Sequence, residues 1–186
     1  MLIDRITEDI RTALAKDPAA TSAVTVALLY PGLHAVWGYR VAHALWKRGF
    51  TFTARLLSQA VRALTGVEIH PAAEIGRRLF IDHGAAVVVG ETAEIGDDVL
   101  MYHGVTLGGD SMRREKRHPT LEDGVTIGAS ATLVGDITVG ESATVGAGSV
   151  VVETVPAGTT VAGAPAEPVD GTGAERLPGG HDPEQP

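Results

Sequence analysis

Histidine is the side chain whose ordinary pKa lies nearest neutrality, which suits it to proton transfer at physiological pH and to metal binding. The chain of 186 residues carries seven histidines. One of them, His83, follows Asp82 in the stretch LFIDHGAAVV, and the pair sits where a regular pattern fails. Apolar residues lead every sixth position at Ile69, Ile75 and Ile81, and again at Val89, Ile95, Met101 and Leu107, yet the step from Ile81 to Val89 is eight. Two extra residues in a repeating backbone must bulge or loop, and such departures often re-aim side chains at functional sites. On residue type alone, His83 reads equally as a general base and as a corner histidine that fixes a turn. A metal reading also exists, in which three imidazoles drawn from His70, His83, His103 and His118 converge on an ion.

A second polar constellation is RREKRHP, residues 113–119, inside another break. Leu107 to Leu121 spans 14 positions, two beyond two hexads, and the insert opens with Gly108-Gly109-Asp110. It is expected to protrude as a loop. Four of those seven residues are Arg or Lys, so composition alone describes a solvated charged loop.

The element that must carry these residues is the repeat itself. A second uninterrupted series runs Leu121, Ile127, Leu133, Val139, Val145 and Val151, and glycine follows the lead at Gly76, Gly96, Gly128, Gly140 and Gly146. Four places after the leads stand small or β-branched residues such as Ala73, Ala93, Val99, Val105, Ala131 and Ser149. A sustained six-residue period predicts a parallel β-helix over residues 66–165, each hexad forming one short strand and one turn. Ahead of it, residues 1–65 read as helical. Ile3, Ile6, Ile10 and Leu14 share one helix face until Asp17-Pro18 stops it, Pro31 opens a second helix that ends near Gly49, and Phe52 to Leu64 forms a further segment. Residues 166–186, rich in proline, glycine and charge, are expected to form a flexible tail.

Composition bounds the rest. Hydrophobic residues make up 44% of the chain but aromatics only 4%, which suits thin repeated layers rather than a few large anchors. A formal net charge of −8 with no broad basic stretch argues against a nucleic-acid partner. With no cysteine there is no disulfide or thiolate site, and the acidic N-terminus is unlike a signal peptide. The longest apolar stretch, AVTVALLYPGL, is too short for a bilayer, so the expectation is a soluble cytoplasmic protein without a membrane partner.

With these features together, the chain resembles the hexapeptide-repeat acyltransferases, and within them the serine O-acetyltransferases. The segments that carry the resemblance are KDPAA, LLYPGLHAVWGYRVAHALW, TGVEIHPAAEIGRRLFIDHG, VVVGETAEIGDDV, GVTLGGD, KRHPTLEDGVTIGA and VGAGSVVVETVPAGTTVAGAPA, in family order over residues 3–165. The repeat alone is shared with sugar acyltransferases and γ-class carbonic anhydrases; the helical segment with IDHG and KRHP is far more specific. The resemblance implies a left-handed β-helix, an exception to the usual right-handed crossover. It also implies trimers, or hexamers made of two trimers, with active sites between neighbouring β-helices.

Carried over residue by residue, the family pattern makes His83 the general base, oriented by the acid before IHPA. That acid is Glu68 here, where many members carry aspartate. Arg117 and His118 face the serine carboxylate, for which a guanidinium can donate two parallel hydrogen bonds. Asp82 and Asp17 flank the serine amino group, although Asp17 before proline equally reads as a helix terminator. Gly109 and Ala129 line the groove for acetyl-coenzyme A, and no metal is implied. A backbone amide or His118 stabilises the tetrahedral oxyanion.

Glu167 stands where members often place a basic residue near the nucleotide; Arg113, Arg114 and Lys116 are possible substitutes. Cysteine is the expected feedback inhibitor. The chain ends DPEQP, without the terminal isoleucine by which many members dock O-acetylserine sulfhydrylase, so that complex is expected to be weak or absent. The alternatives are another acceptor (homoserine or a sugar), a γ-carbonic-anhydrase-like metalloenzyme, and a non-catalytic scaffold.

Overall fold

The computed structural model describes residues 2–169, with side chains from Asp4 onward. Most of the predicted tail, residues 170–186, lies outside the described residues. Four helices come first: α1 (Leu2–Lys16), α2 (Ala23–Leu29), α3 (Pro31–Lys47) and α4 (Thr51–Thr65). Asp17-Pro18 ends α1, and Ser22 caps α2 by accepting the Thr25 N–H at 3.1 Å. The apolar stretch AVTVALL therefore forms a short helix of its own, which periodicity alone did not resolve. Pro31 occupies the first turn of α3, where its missing N–H costs nothing, and Gly66 closes α4 in the left-handed conformation.

The chain then winds into a left-handed parallel β-helix. Its first coil is β1 (Val67–Ile69), β2 (Glu74–Ile75) and β3 (Phe80–Ile81), and its second is β4 (Val87–Val89), β5 (Glu94–Ile95) and β6 (Leu100–Met101). The third is β7 (Thr106–Gly108), β8 (Thr120–Leu121) and β9 (Thr126–Ile127), and the fourth is β10 (Thr132–Val134), β11 (Thr138–Val139) and β12 (Thr144–Val145). β13 (Val150–Val151) and β14 (Thr160–Gly163) begin and end the last coil, and β15 (Ala166–Pro168) folds back antiparallel on β14. Three flat faces result. The first stacks β1, β4, β7, β10 and β13; the second stacks β2, β5, β8 and β11; the third stacks β3, β6, β9, β12, β14 and β15.

The hexad leads form three columns through the core. Ile69, Val89, Leu107, Leu133 and Val151 stack on the first face, while Ile81, Met101, Ile127, Val145 and Val161 stack on the third. Ile75, Ile95, Leu121 and Val139 make the second column. Small residues four places on, such as Ala73, Ala93, Ala131 and Ser149, are buried at the corners, where nothing larger fits beside three converging columns.

The register refines the count of inserts. A regular coil advances 18 residues, as from Val88 to Thr106, whereas the first advances 20 from Val67 to Val87 and the third 26 from Thr106 to Thr132. The 14-residue step from Leu107 to Leu121 is thus one hexad with eight added residues, not two hexads with two. Spacing alone allows either sum, and only the pairing of β8 with β5 decides between them.

The upper rim of the first coil presents carbonyls with no strand above them, and such an edge must be covered. The helices do this. Tyr39 Oη donates to Ala73 O at 2.5 Å, Ser58 Oγ donates to Ile69 O at 2.8 Å, and the His43 ring meets Pro71 O through Nδ1 at 2.9 Å. Ala35, Val36 and Tyr39 of α3 join the main core directly. A second small core, built from Ala13, Val26, Leu33 and Phe80, fastens α1 and α2 to β3. Behind it Asp9, nearly fully buried, accepts two hydrogen bonds from Arg40 at 2.5 and 3.0 Å and one from Trp37 at 2.9 Å.

Leu133 is fully buried in the middle of its column. Leu133→Ala is expected to lower stability by about 2–5 kcal/mol, read as a fall in the urea midpoint with the slope unchanged.

Candidate active site

The two extra residues of the first coil form a bulge between β3 and β4. His83, Gly84 and Ala86 all take positive φ there, at 63°, 74° and 58°. A non-glycine residue seldom adopts this conformation, and its cost is borne where the surroundings over-determine it. Here the first turn of α3 supplies the constraint. A methyl group on Gly32 would collide with the Ile81 carbonyl, and one on Gly84 would lie 3.1 Å from Gly32 N. The outcome is an Asp82 side chain mostly sheltered and a His83 ring 72% exposed, with His83 Nε2 3.6 Å from Asp82 Oδ2.

Other polar side chains converge on this corner. Asp17, at the end of α1, accepts the Ala19 N–H on Oδ1 at 2.7 Å and the Tyr30 hydroxyl on Oδ2 at 2.6 Å. The bond to Asp17 drives the Tyr30 hydroxyl pKa up to about 12, with burial and the Asp82 charge adding to it. Tyr102 is raised as well, first by burial and then by Asp82 and Asp17. One coil further on, the His103 ring meets His83 edge-on, with centroids 5.7 Å apart. Ala129 belongs to the same corner in the third coil, hydrogen-bonded through its carbonyl to Gly148.

The remaining predicted residues lie elsewhere. Arg117 and His118 end the eight-residue insert at the corner between the first and second faces. Thr92 organises them: its Oγ accepts the backbone N–H groups of Arg117 and His118 at 3.0 and 3.2 Å. Its own N–H donates to His118 Nδ1 at 3.2 Å, which leaves the ring's proton on Nε2. His118 is nearly buried, and that burial, with help from Arg117, holds its pKa below the ordinary histidine value.

The ring rests on Gly90, where a methyl group would fall inside it, and a methyl on Gly109 would lie 3.1 Å from Nε2. Gly109 thus lies close against the His118 ring and Arg117, where a side chain would be crowded. Arg117 donates to Glu91 Oε2 at 2.5 Å and to the Arg113 and Glu115 carbonyls at 3.1 and 3.3 Å, and the bond keeps the Glu91 carboxyl low.

The structure therefore divides the predicted residues between two corners of the prism: Asp17, Asp82, His83 and Ala129 on one, Gly109, Arg117 and His118 on the other. Glu68 meets neither set; its carboxylate pairs with Arg62 at 3.1 Å. Among the described residues no group of three His, Cys, Asp or Glu side chains converges in a way that could hold a metal ion.

Sequence reading passed over Tyr30, Tyr102, Glu91 and Thr92. Tyr30 precedes a proline that marked a helix start, and Thr92 reaches its partners across the 26 positions that separate it from His118. The one available signal was that Glu91-Thr92 follows Gly90 at the same corner one coil earlier.

No protein-family model matches the chain. It is 54% identical to a serine acetyltransferase of Mycobacterium tuberculosis over 159 residues, which is 86% of this chain and 69% of that one. It is 55% identical to a Helicobacter pylori serine acetyltransferase over 156 residues, covering 84% of this chain and 91% of its relative. Among solved structures, the Neisseria gonorrhoeae serine acetyltransferase in complex with serine superposes with a TM-score of 0.87 at 41% identity, over 90% of this chain and 68% of that one. A Brucella abortus serine acetyltransferase in complex with coenzyme A gives 0.87 at 41%, over 90% and 67%. A serine acetyltransferase in complex with cysteine gives 0.89 at 41%, over 91% and 70%.

The His70 ring sits beside the second corner, edge-on to Trp46 with centroids 5.2 Å apart, and accepts the Ala72 N–H on Nδ1 at 3.1 Å. Burial first, then the Arg55 charge, lowers its pKa from 6.5 to about 4. The unfolded chain takes up a proton near 6.5 that the folded chain refuses until about 4, so this contribution is complete above 6.5 and is lost as pH falls toward 4. Proton NMR is expected to find the His70 ring neutral down to about pH 5, and urea unfolding to show stability declining over the same acid window.

Proposed function

The chain belongs to the serine acetyltransferases, and we propose that its two corner clusters are the two halves of one active site. It is an acyltransferase that moves acetyl from acetyl-coenzyme A to the hydroxyl of L-serine, giving O-acetyl-L-serine for cysteine biosynthesis. Identity above one half with curated serine acetyltransferases over most of the chain carries that conclusion.

We assign the chemistry to His83. A serine hydroxyl is a poor nucleophile at neutral pH, and an exposed imidazole on a constrained bulge is suited to take its proton. The alkoxide oxygen attacks the thioester carbonyl carbon, forming a C–O bond and moving the carbonyl electrons onto oxygen. Collapse of this tetrahedral oxyanion breaks the C–S bond, and the proton held by His83 passes to the departing thiolate. Asp82 lies 3.6 Å from the ring on which that proton is carried. Glu68 is the second orienting carboxylate; it pairs here at 3.1 Å with Arg62, whose side chain is more than half exposed.

Recognition follows the same division. Asp17 and Asp82 take the serine ammonium, while Arg117 and the Nε2–H of His118 take its carboxylate. The pantetheine arm runs past Gly109 and Ala129. L-Cysteine differs from serine only in sulfur for oxygen, fits the same contacts and inhibits by occupying them; the complex of a relative with cysteine supports this.

The carboxylate half and the base half stand on different corners of one chain. We therefore propose a homotrimer, in which one subunit's His83 corner faces the next subunit's Arg117 corner. No described helix is long and apolar enough to cross a membrane, and a cytoplasmic location accords with the family.

The test mixes acetyl-coenzyme A with L-serine and follows free thiol with a disulfide reagent; the chain has no cysteine to interfere. Serine-dependent release is expected, falling by about 100-fold or more in His83→Ala. Release without a serine requirement, or unaltered release in that variant, would overturn the assignment. Light scattering is expected to give a mass of three chains; a monomer turning over at the full rate would exclude an active site shared between subunits.

A further inference from the structure

We infer that Tyr30 is a positioning residue for the acceptor: its hydroxyl fixes the Asp17 carboxylate beside Asp82 and so sets how tightly the α-ammonium group is held. The inference rests on the assignment of Asp17 and Asp82 to that group. Asp17 stands just past α1 and before Pro18, where the backbone leaves the helix and no regular packing dictates the side chain. Two hydrogen bonds do so instead, one to each oxygen, from Ala19 N at 2.7 Å and Tyr30 Oη at 2.6 Å.

The Tyr30 end of this link is itself fixed. Its backbone is held extended at φ −97° and ψ 98°, as a residue before proline must be. Its ring stacks on Phe80 with centroids 6.5 Å apart, and Phe80 is a buried residue of β3 two positions before Asp82. One side chain thus connects the end of α1, the start of α3 and the strand that delivers Asp82. The proton stays on the hydroxyl throughout the working pH range, since the neighbouring carboxylates raise its pKa to about 12.

Tyr30→Phe keeps the ring on Phe80 and removes only the donor. The KM for L-serine is expected to rise about tenfold, the size of a hydrogen bond to a charged group, with kcat within about twofold and the KM for acetyl-coenzyme A unchanged. Calorimetry is expected to show weaker L-serine binding by the variant and unaltered binding of 3-hydroxypropionate, which lacks the ammonium. In an Asp17→Asn background the same substitution is expected to add nothing further. An unchanged serine KM, parallel losses toward both ligands and acetyl-coenzyme A, or full additivity with Asp17→Asn would each overturn the inference. If the unmodified protein fails to acetylate L-serine, it is the underlying assignment that falls, so that measurement comes first.

Discussion

The abutment of α3 against the first bulge is the constraint from which the site follows. Gly32 can approach the Ile81 carbonyl, and Gly84 can approach Gly32 N, only because neither carries a side chain. This contact fixes the bulge in which His83 takes a left-handed φ of 63°. It also brings Tyr30, at the foot of α3, and Asp17, hydrogen-bonded to it, up to the same corner. The helical segment is therefore more than a cap on the open rim. Through Tyr39, Ser58 and His43 it closes the end of the β-helix, and through Gly32 it sets the geometry of the reactive corner. Rim closure and corner geometry come from the same packed interface, so loss of that interface would damage both together.

Charge is sorted between the two corners. One carries Asp17 and Asp82 near two tyrosines, Tyr30 raised in pKa first by its bond to Asp17 and Tyr102 first by burial and then by both acids. The other carries Arg117, His118 and Lys116, with Glu91 and Glu94 supplying counter-charge. In the proposed trimer, a zwitterion between one subunit's first corner and the next subunit's second would meet negative charge at its ammonium end and positive charge at its carboxylate end. The short Arg117–Glu91 pair holds the guanidinium in one orientation before any ligand arrives, which lowers the ordering cost of binding.

The hexad period made the β-helix legible, because each lead residue falls into a core column and each small residue into a corner; Ile81, Met101 and Ile127 illustrate the first and Ala93 the second. The His83 break was legible for the same reason, since the pattern on both sides is regular. The length of the second insert was not, because spacing between Leu107 and Leu121 fits two counts and only cross-strand pairing separates them. Nor was the split between corners visible. It depends on which turn of the prism each residue occupies, a property of the wound chain rather than of neighbouring letters. Glu68 was legible only through the resemblance: no period or break singles it out, and its carboxylate here pairs with Arg62.

The eight-residue insert has a consequence for how this architecture holds Arg117. Thr106, Leu107 and Gly108 pair in register with Thr132, Leu133 and Val134, although the coil between them is lengthened. The corner accommodates these eight residues while the winding on either side of them keeps its register. The segment bearing Arg117 is therefore anchored by side chains of the same corner one coil earlier, through Thr92 and Glu91, rather than by the strand ladder itself.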